Sequence, residues 1–189
     1  MAQIEKLLPF ILKWEGGYVN DPLDLGGATN MGVTLDTWKH LGYDKNDDEV
    51  VDEEDLKRLT QQDFLAILHV YWNRWQADRI VSQSLANILV DWVWGSGKYG
   101  ITLPQKILGV KQDGIVGPIT LQALNNHPDY QQLFDEIKQE RIAYIERICQ
   151  SRPANLRFRK GWLRRINSFN YGEYPPPVPQ CHQVKRTPN

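Results

Sequence analysis

Three side chains within a short stretch have the types that sugar-chain hydrolysis uses: Glu15, Asp24 and Thr29. Breaking a glycosidic bond needs one carboxylic acid to give a proton to the leaving oxygen. Other groups must hold a water or steady the cationic sugar. Glu15 directly follows an amphipathic run, in Trp14-Glu15-Gly16-Gly17-Tyr18. A carboxyl at the end of a helix faces the negative pole of the helix dipole, which raises its pKa. Desolvation beside Trp14 and Tyr18 acts in the same direction, and both suit a general acid that must keep its proton near neutrality. Taken singly, each residue also has a plainer reading: an exposed helix-end charge, a turn residue and a capping hydroxyl.

The elements that must position these groups are predominantly helical. Ile4, Leu7, Leu8, Ile11 and Leu12 recur at helical spacing, and Gly16-Gly17 stops that helix behind Glu15. Residues 16–33 hold five glycines and Pro22, so this segment is turn chemistry with room for a small β-hairpin at most. Thr34 then caps a short helix to about His40, Asp52 caps the run to Leu59, and Thr60 with Asp63 forms a capping box. The next helix carries Phe64, Ile67, Leu68, Tyr71, Trp72 and Trp75. Leu85, Ile88, Leu89, Trp92 and Val93 mark the most apolar one. Further helices are expected around Leu103–Leu108, after Pro118, over about 129–150 and over roughly 160–169. The fold class is therefore mainly α, with one glycine-rich loop or small hairpin near the N-terminus.

Composition places the chain among ordinary globular proteins: 189 residues, 41% hydrophobic, 24% charged, net charge −1. That balance gives no overall attraction to nucleic acid or to a membrane surface. It is uneven along the chain, with nine acidic against three basic residues over Asp44–Asp63, and eight basic residues against Glu146 alone over Arg141–Arg165. These are either two solvated faces, which can pair with each other, or a basic wall facing an anionic polymer such as a glycan with acidic stem peptides. Cys149 falls in register with Ile145 and Ile148 as a core thiol, and Cys181 lies in a proline-rich tail, so no disulfide framework is expected. No signal-peptide pattern and no apolar run of membrane-spanning length occurs. Synthesis in the cytoplasm is expected, and action beyond the inner membrane would need a holin or an export system.

The residues Glu15-Gly-Gly-Tyr18 through Asp24-Leu-Gly-Gly-Ala-Thr29-Asn-Met-Gly-Val-Thr34 closely resemble glycoside hydrolase family 108, which comprises cell-wall muramidases and members described as secretion activator proteins. The order acid, acid, hydroxyl is similar to the catalytic triad of phage-type lysozymes, with the gap from aspartate to threonine about one residue shorter. Asn87 to Trp94, Gly95-Ser-Gly97, Leu108-Gly-Val and Asp113-Gly-Ile-Val-Gly-Pro-Ile-Thr-Leu-Gln-Ala-Leu124 look like the predicted peptidoglycan-binding segment that follows this catalytic segment. Phe158-Arg-Lys-Gly-Trp162-Leu-Arg-Arg165 matches the family's closing pattern. The resemblance implies a lysozyme-like helical fold with residues 1–90 catalytic, 91–170 a peptidoglycan-binding segment packed into the same unit, and 171–189 a tail.

It further implies peptidoglycan glycan strands as the partner, action in the periplasm or cell wall, and no cofactor or metal. Glu15 would be the acid, Asp24 the base or charge stabiliser, and Thr29 a holder of water. Tyr18, Asn30 and Thr34 are the expected substrate-binding positions, with Trp94 and Tyr99 able to stack on sugar rings at the glycine-rich bend. A lytic transglycosylase and a wall-binding or secretion-assisting protein without catalysis are the competing readings.

Other chemistries find little support in the chain. Gly95-Ser-Gly97-Lys-Tyr-Gly100 meets the dinucleotide pattern formally, but it follows a helix and lacks the acidic residue about 20 positions on. His40, His69, His127 and His182 have no paired spacing for zinc. No Gly-x-Ser-x-Gly elbow occurs, because position 94 is Trp.

Overall fold

In the computed structural model, which describes residues 1–20 and 27–173, the first apolar stripe divides at Pro9. A single 3₁₀ turn over Ile4–Lys6 precedes helix α1 (Leu8–Trp14), whose first turn contains the proline. Proline lacks an N–H and fits where helical N–H groups have no partner, so regular helix begins there. Ile4, Leu7 and Ile11 are buried, as their spacing predicts.

The glycine-rich stretch forms three very short antiparallel strands rather than one hairpin: β1 (Val19–Asn20), β2 (Ala28–Asn30) and β3 (Val33–Thr34), in that order. Asn30 pairs with Val33, so Met31 and Gly32 make a two-residue loop. Both have positive φ, 49° and 75°, which is the type I′ geometry that follows the twist of the strands.

Local capping sets the next helices. The Thr34 hydroxyl accepts from the Thr37 N–H at the start of α2 (Leu35–Leu41). Reciprocal capping boxes open α3 (Glu53–Lys57, through Asp52 and Asp55) and α4 (Gln61–Arg74, through Thr60 and Asp63). Aspartate at the third helical position is thus long enough to close both boxes.

Helix α5 (Gln83–Ser96) is the buried centre. Ser82 caps it, and every residue from Gln83 to Val93 is buried. Helix α6 (Tyr99–Ile107) crosses it at Gly100, where a Cβ would lie 2.4 Å from the Val93 nitrogen. Gly100→Ala should therefore cost about 1–3 kcal/mol by overpacking backbone against backbone. A fall in Tm of several degrees in a thermal melt would register it.

Helix α6 begins earlier than the expected start near Leu103 and carries Pro104 inside it. The proline cannot donate to the Gly100 carbonyl one turn back, and the Trp75 indole N–H occupies that carbonyl instead, at 3.1 Å.

Helices α7 (Pro118–Asn125), α8 (Tyr130–Ser151) and α9 (Leu156–Asn167) complete the described chain. Pro118 stands at the first turn, as expected, and α9 starts a turn earlier than 160. One apolar core runs from Ala2 to Phe169 and draws on both sequence segments. A smaller cluster of Ile145, Cys149 and Ile166 joins α8 to α9, so Cys149 is the core thiol its register predicts. Cys181 and the rest of the proline-rich tail from 174 lie outside the described residues. Among the described residues no helix is long and apolar enough to cross a membrane.

Candidate active site

Glu15 caps the C-terminus of α1 with an extended backbone, φ −82° and ψ 129°, which turns its side chain out of the helix and into a cleft. The cleft has a volume of about 430 Å³. Thr29, Gly32 and Thr34 from the sheet form one wall, Trp94 to Ser96 at the end of α5 form the floor, and α8 with α9 form the other wall.

Two donors hold the acid in place. The Trp94 indole N–H donates to Glu15 Oε1 at 3.1 Å, and Arg165 Nη1 donates to the same oxygen at 2.7 Å. The other oxygen, Oε2, lies against the Gly32 backbone, where an added Cβ would come within 2.0 Å of it. The Glu15 side chain is only 11% exposed. Burial pushes its carboxyl above the usual glutamate range, against the pull of the Arg165 charge and hydrogen bond, and the negative charge of Asp91 adds to the rise.

Arg165 is itself shared. Its Nε and Nη2 donate to Asp91 Oδ1 at 3.1 and 2.7 Å, while Arg141 Nη2 donates to Asp91 Oδ2 at 2.6 Å. Asp91 is fully buried in the middle of α5. Burial opposes its ionisation, but the two arginines outweigh that and hold its carboxyl below the usual range. Arg165 is held far above its ordinary value by Asp91 and Glu15, although burial acts the other way.

The basic stretch from Arg141 to Arg165 is therefore not a uniform outer wall, and its two inward arginines do not pair with the acidic 44–63 segment. Within that segment Asp44 accepts from the backbone of Asn46, Asp47 and Glu49, and Asp63 pairs with Lys45 at 2.7 Å. Arg164 lies 5.2 Å from the centre of the Trp14 ring.

The sequence-predicted positions divide into groups. Glu15, Thr29, Thr34 and Trp94 border one cleft. Thr34 does so while its hydroxyl caps α2. Asp24 falls in 21–26, outside the described residues.

Asn30 is a correction: strand alternation places it on the opposite face from Thr29. It is buried there, and its amide donates to the Leu56 and Lys57 carbonyls at the end of α3. Tyr18 is also turned elsewhere, with its hydroxyl donating to Glu53 and its ring 5.1 Å from the Lys57 ammonium. Tyr99 lines a smaller cavity of about 300 Å³ beside the cleft, which shares Tyr144 and Ile148 with it.

Four of the seven tryptophans, Trp38, Trp72, Trp75 and Trp92, are fully buried and serve packing. Of the others, Trp94 and Trp162 face the cleft. Trp94 also makes edge contacts with Phe64 and Tyr71, 5.3 and 4.8 Å between ring centres, so its indole is fixed. Trp94→Phe should preserve that packing and remove the N–H that favours ionised Glu15. The Glu15 pKa then rises, and the alkaline fall of activity moves upward by less than about one pH unit, as read from a pH–rate profile.

Gly32, Asp91, Tyr144, Trp162 and Arg165 were not among the expected site residues. A single aspartate inside the most apolar helical run was the available sign for Asp91, since a buried charge needs a partner.

Residues 8–97 match the family described as Glycosyl hydrolase 108, and residues 99–167 match the Predicted Peptidoglycan domain. No curated protein matches. Among solved structures, that of Brucella abortus SagA is similar, with 30% sequence identity and a TM-score of 0.70, covering 86% of this chain and 88% of that one.

Proposed function

Because the chain belongs to the glycosyl hydrolase 108 family and carries a peptidoglycan domain, it is a glycoside hydrolase acting on peptidoglycan, and we propose that it is an N-acetylmuramidase. The bond cut is the β-1,4 link between N-acetylmuramic acid and N-acetylglucosamine. The observation that carries this reading is the Glu15 carboxyl: it lines a cleft, and burial lifts its pKa towards the range in which it holds a proton.

In this mechanism Glu15 gives its proton to the glycosidic oxygen as the bond to the anomeric carbon breaks. Asp24 steadies the developing oxocarbenium charge or takes a proton from water, and Thr29 helps to hold that water. Attack from the far face inverts the anomeric centre. Trp162 and Tyr144, half-buried in the α8–α9 wall, offer ring faces for the sugars to either side of the scissile bond.

No cofactor enters these steps. The glycan strand is the partner, and the cell wall or periplasm the place of action, reached through a holin or an export route. Residues 1–90 would supply the acid end of the site and 91–170 its floor and outer wall.

Release of reducing ends from purified peptidoglycan tests hydrolysis. Proton NMR of fresh product tests stereochemistry, with the α-anomer expected first. Release of neither reducing nor 1,6-anhydro ends would favour the wall-binding or secretion-assisting alternative, and a β-anomer would remove Asp24 from the role of base.

A further inference from the structure

A cation in contact with a general acid presents a problem, because an opposite charge at that range lowers a carboxyl pKa by roughly 1–3 units and favours the form that has no proton to give. In this cleft the cation is divided. Arg165 turns Nε and Nη2 to Asp91 and only Nη1 to Glu15. Asp91 is anchored in turn by Arg141 on its opposite oxygen, Oδ2. Asp91 therefore does not touch the cleft contents and acts through Arg165.

We propose that Asp91 is a positioning residue for the acid: it grips Arg165 from beneath the cleft floor, so that one edge of the guanidinium orients Glu15 while most of the cation is committed elsewhere. This rests on the reading of Glu15 as the proton donor and adds to it the group that keeps the proton transferable.

The alternative is that the Arg141–Asp91–Arg165 cluster only ties α5, α8 and α9 together. The two accounts differ in what happens to Glu15. The charges that act on Glu15 are those of Arg165 and Asp91. Arg141 lines the same cleft but is bound to Asp91, and Lys13 on α1 and Arg164 on α9 lie over the Trp14 ring. The groups facing it from the sheet, Thr29 and Thr34, are uncharged, as is Trp94, and Tyr144 on α8 has its hydroxyl pushed above the usual range by burial.

Removing the cation with Arg165→Gln takes away what favours ionised Glu15. The Glu15 pKa should rise and the alkaline limb of the activity profile should move up by about one pH unit. Removing the anion with Asp91→Asn leaves Arg165 undivided and deletes a nearby negative charge. The pKa should then fall and the limb should move down by a similar amount, about one pH unit. Because Asp91→Asn places two buried guanidiniums on one amide, the charge-balanced D91N/R141Q protein is measured beside it, with the same downward shift expected.

Glu15 is also titrated directly by carbon-13 NMR of its carboxyl in each protein, which needs no turnover. Opposite shifts in the Arg165 and Asp91 variants support the positioning role, even if no peptidoglycan is cut. Shifts of the same sign, or an unmoved Glu15 carboxyl with only a lowered Tm, overturn it and leave the muramidase reading to its own assay.

Discussion

Glu15→Gln is expected to cut turnover on peptidoglycan by at least about a hundredfold, the lower end of what general acid catalysis contributes. The amide keeps the shape of the side chain and can still accept from Trp94 and Arg165, but it has no proton to transfer. Folding should survive. Arg165 keeps its two bonds to Asp91, so the substitution leaves no orphaned buried charge. The melting temperature should therefore stay close to that of the parent while activity disappears. Near-parental digestion by the purified variant would remove Glu15 from the chemistry.

Gly32→Ala should do comparable damage without touching a chemical group. An alanine Cβ at that position would lie 2.0 Å from Glu15 Oε2 and 2.3 Å from its Cδ. The carboxyl cannot move aside without losing Trp94 or Arg165, which fix it from the other side. A displacement of about 1 Å in a catalytic group can cost about a hundredfold, and that is the loss expected here. Backbone strain contributes separately, because φ is +75° at Gly32. Gly109→Ala isolates that contribution: its φ is +67°, with nothing within 4 Å of the added Cβ. The Gly109 variant should lose stability and keep its kcat, whereas the Gly32 variant should lose both. Equal kinetic behaviour of the two would mean that the contact with Glu15 is unimportant.

The parts of this fold that were legible in the sequence are those decided within a turn or two of chain. Thr34, Asp52, Thr60 and Pro118 mark helix starts because capping is a local bond between a side chain and the next few N–H groups. Long apolar periodicity places α8 to within a residue or so. The helix expected around Leu103–Leu108 in fact starts at Tyr99, because a proline inside a helix breaks the local hydrogen-bond pattern and here Pro104 is nevertheless accommodated. Trp75, the residue that closes α4, satisfies the carbonyl that the proline leaves open.

The candidate site shows the same division. Glu15 at a helix end and the polar run after it were visible as chemistry. The Arg165–Asp91–Arg141 cluster was not, because its members lie 74 and 50 positions apart and meet only when α8 and α9 pack on α5. The basic stretch read as a surface feature, and no local pattern marks which arginines turn inward. Asn30 sits beside Thr29 in sequence and on the opposite face in the strand, a distinction that depends on pairing register.

The central claim, that a proton from Glu15 leads to hydrolysis of the muramyl bond, is tested most directly by mass spectrometry of the fragments released from purified peptidoglycan. The account predicts disaccharide-peptides that end in reducing N-acetylmuramic acid, each heavier by one water than its 1,6-anhydro counterpart. Fragments ending in 1,6-anhydro-N-acetylmuramic acid would identify a lytic transglycosylase, and fragments ending in reducing N-acetylglucosamine would move the cut to the other glycosidic bond; either result would contradict it.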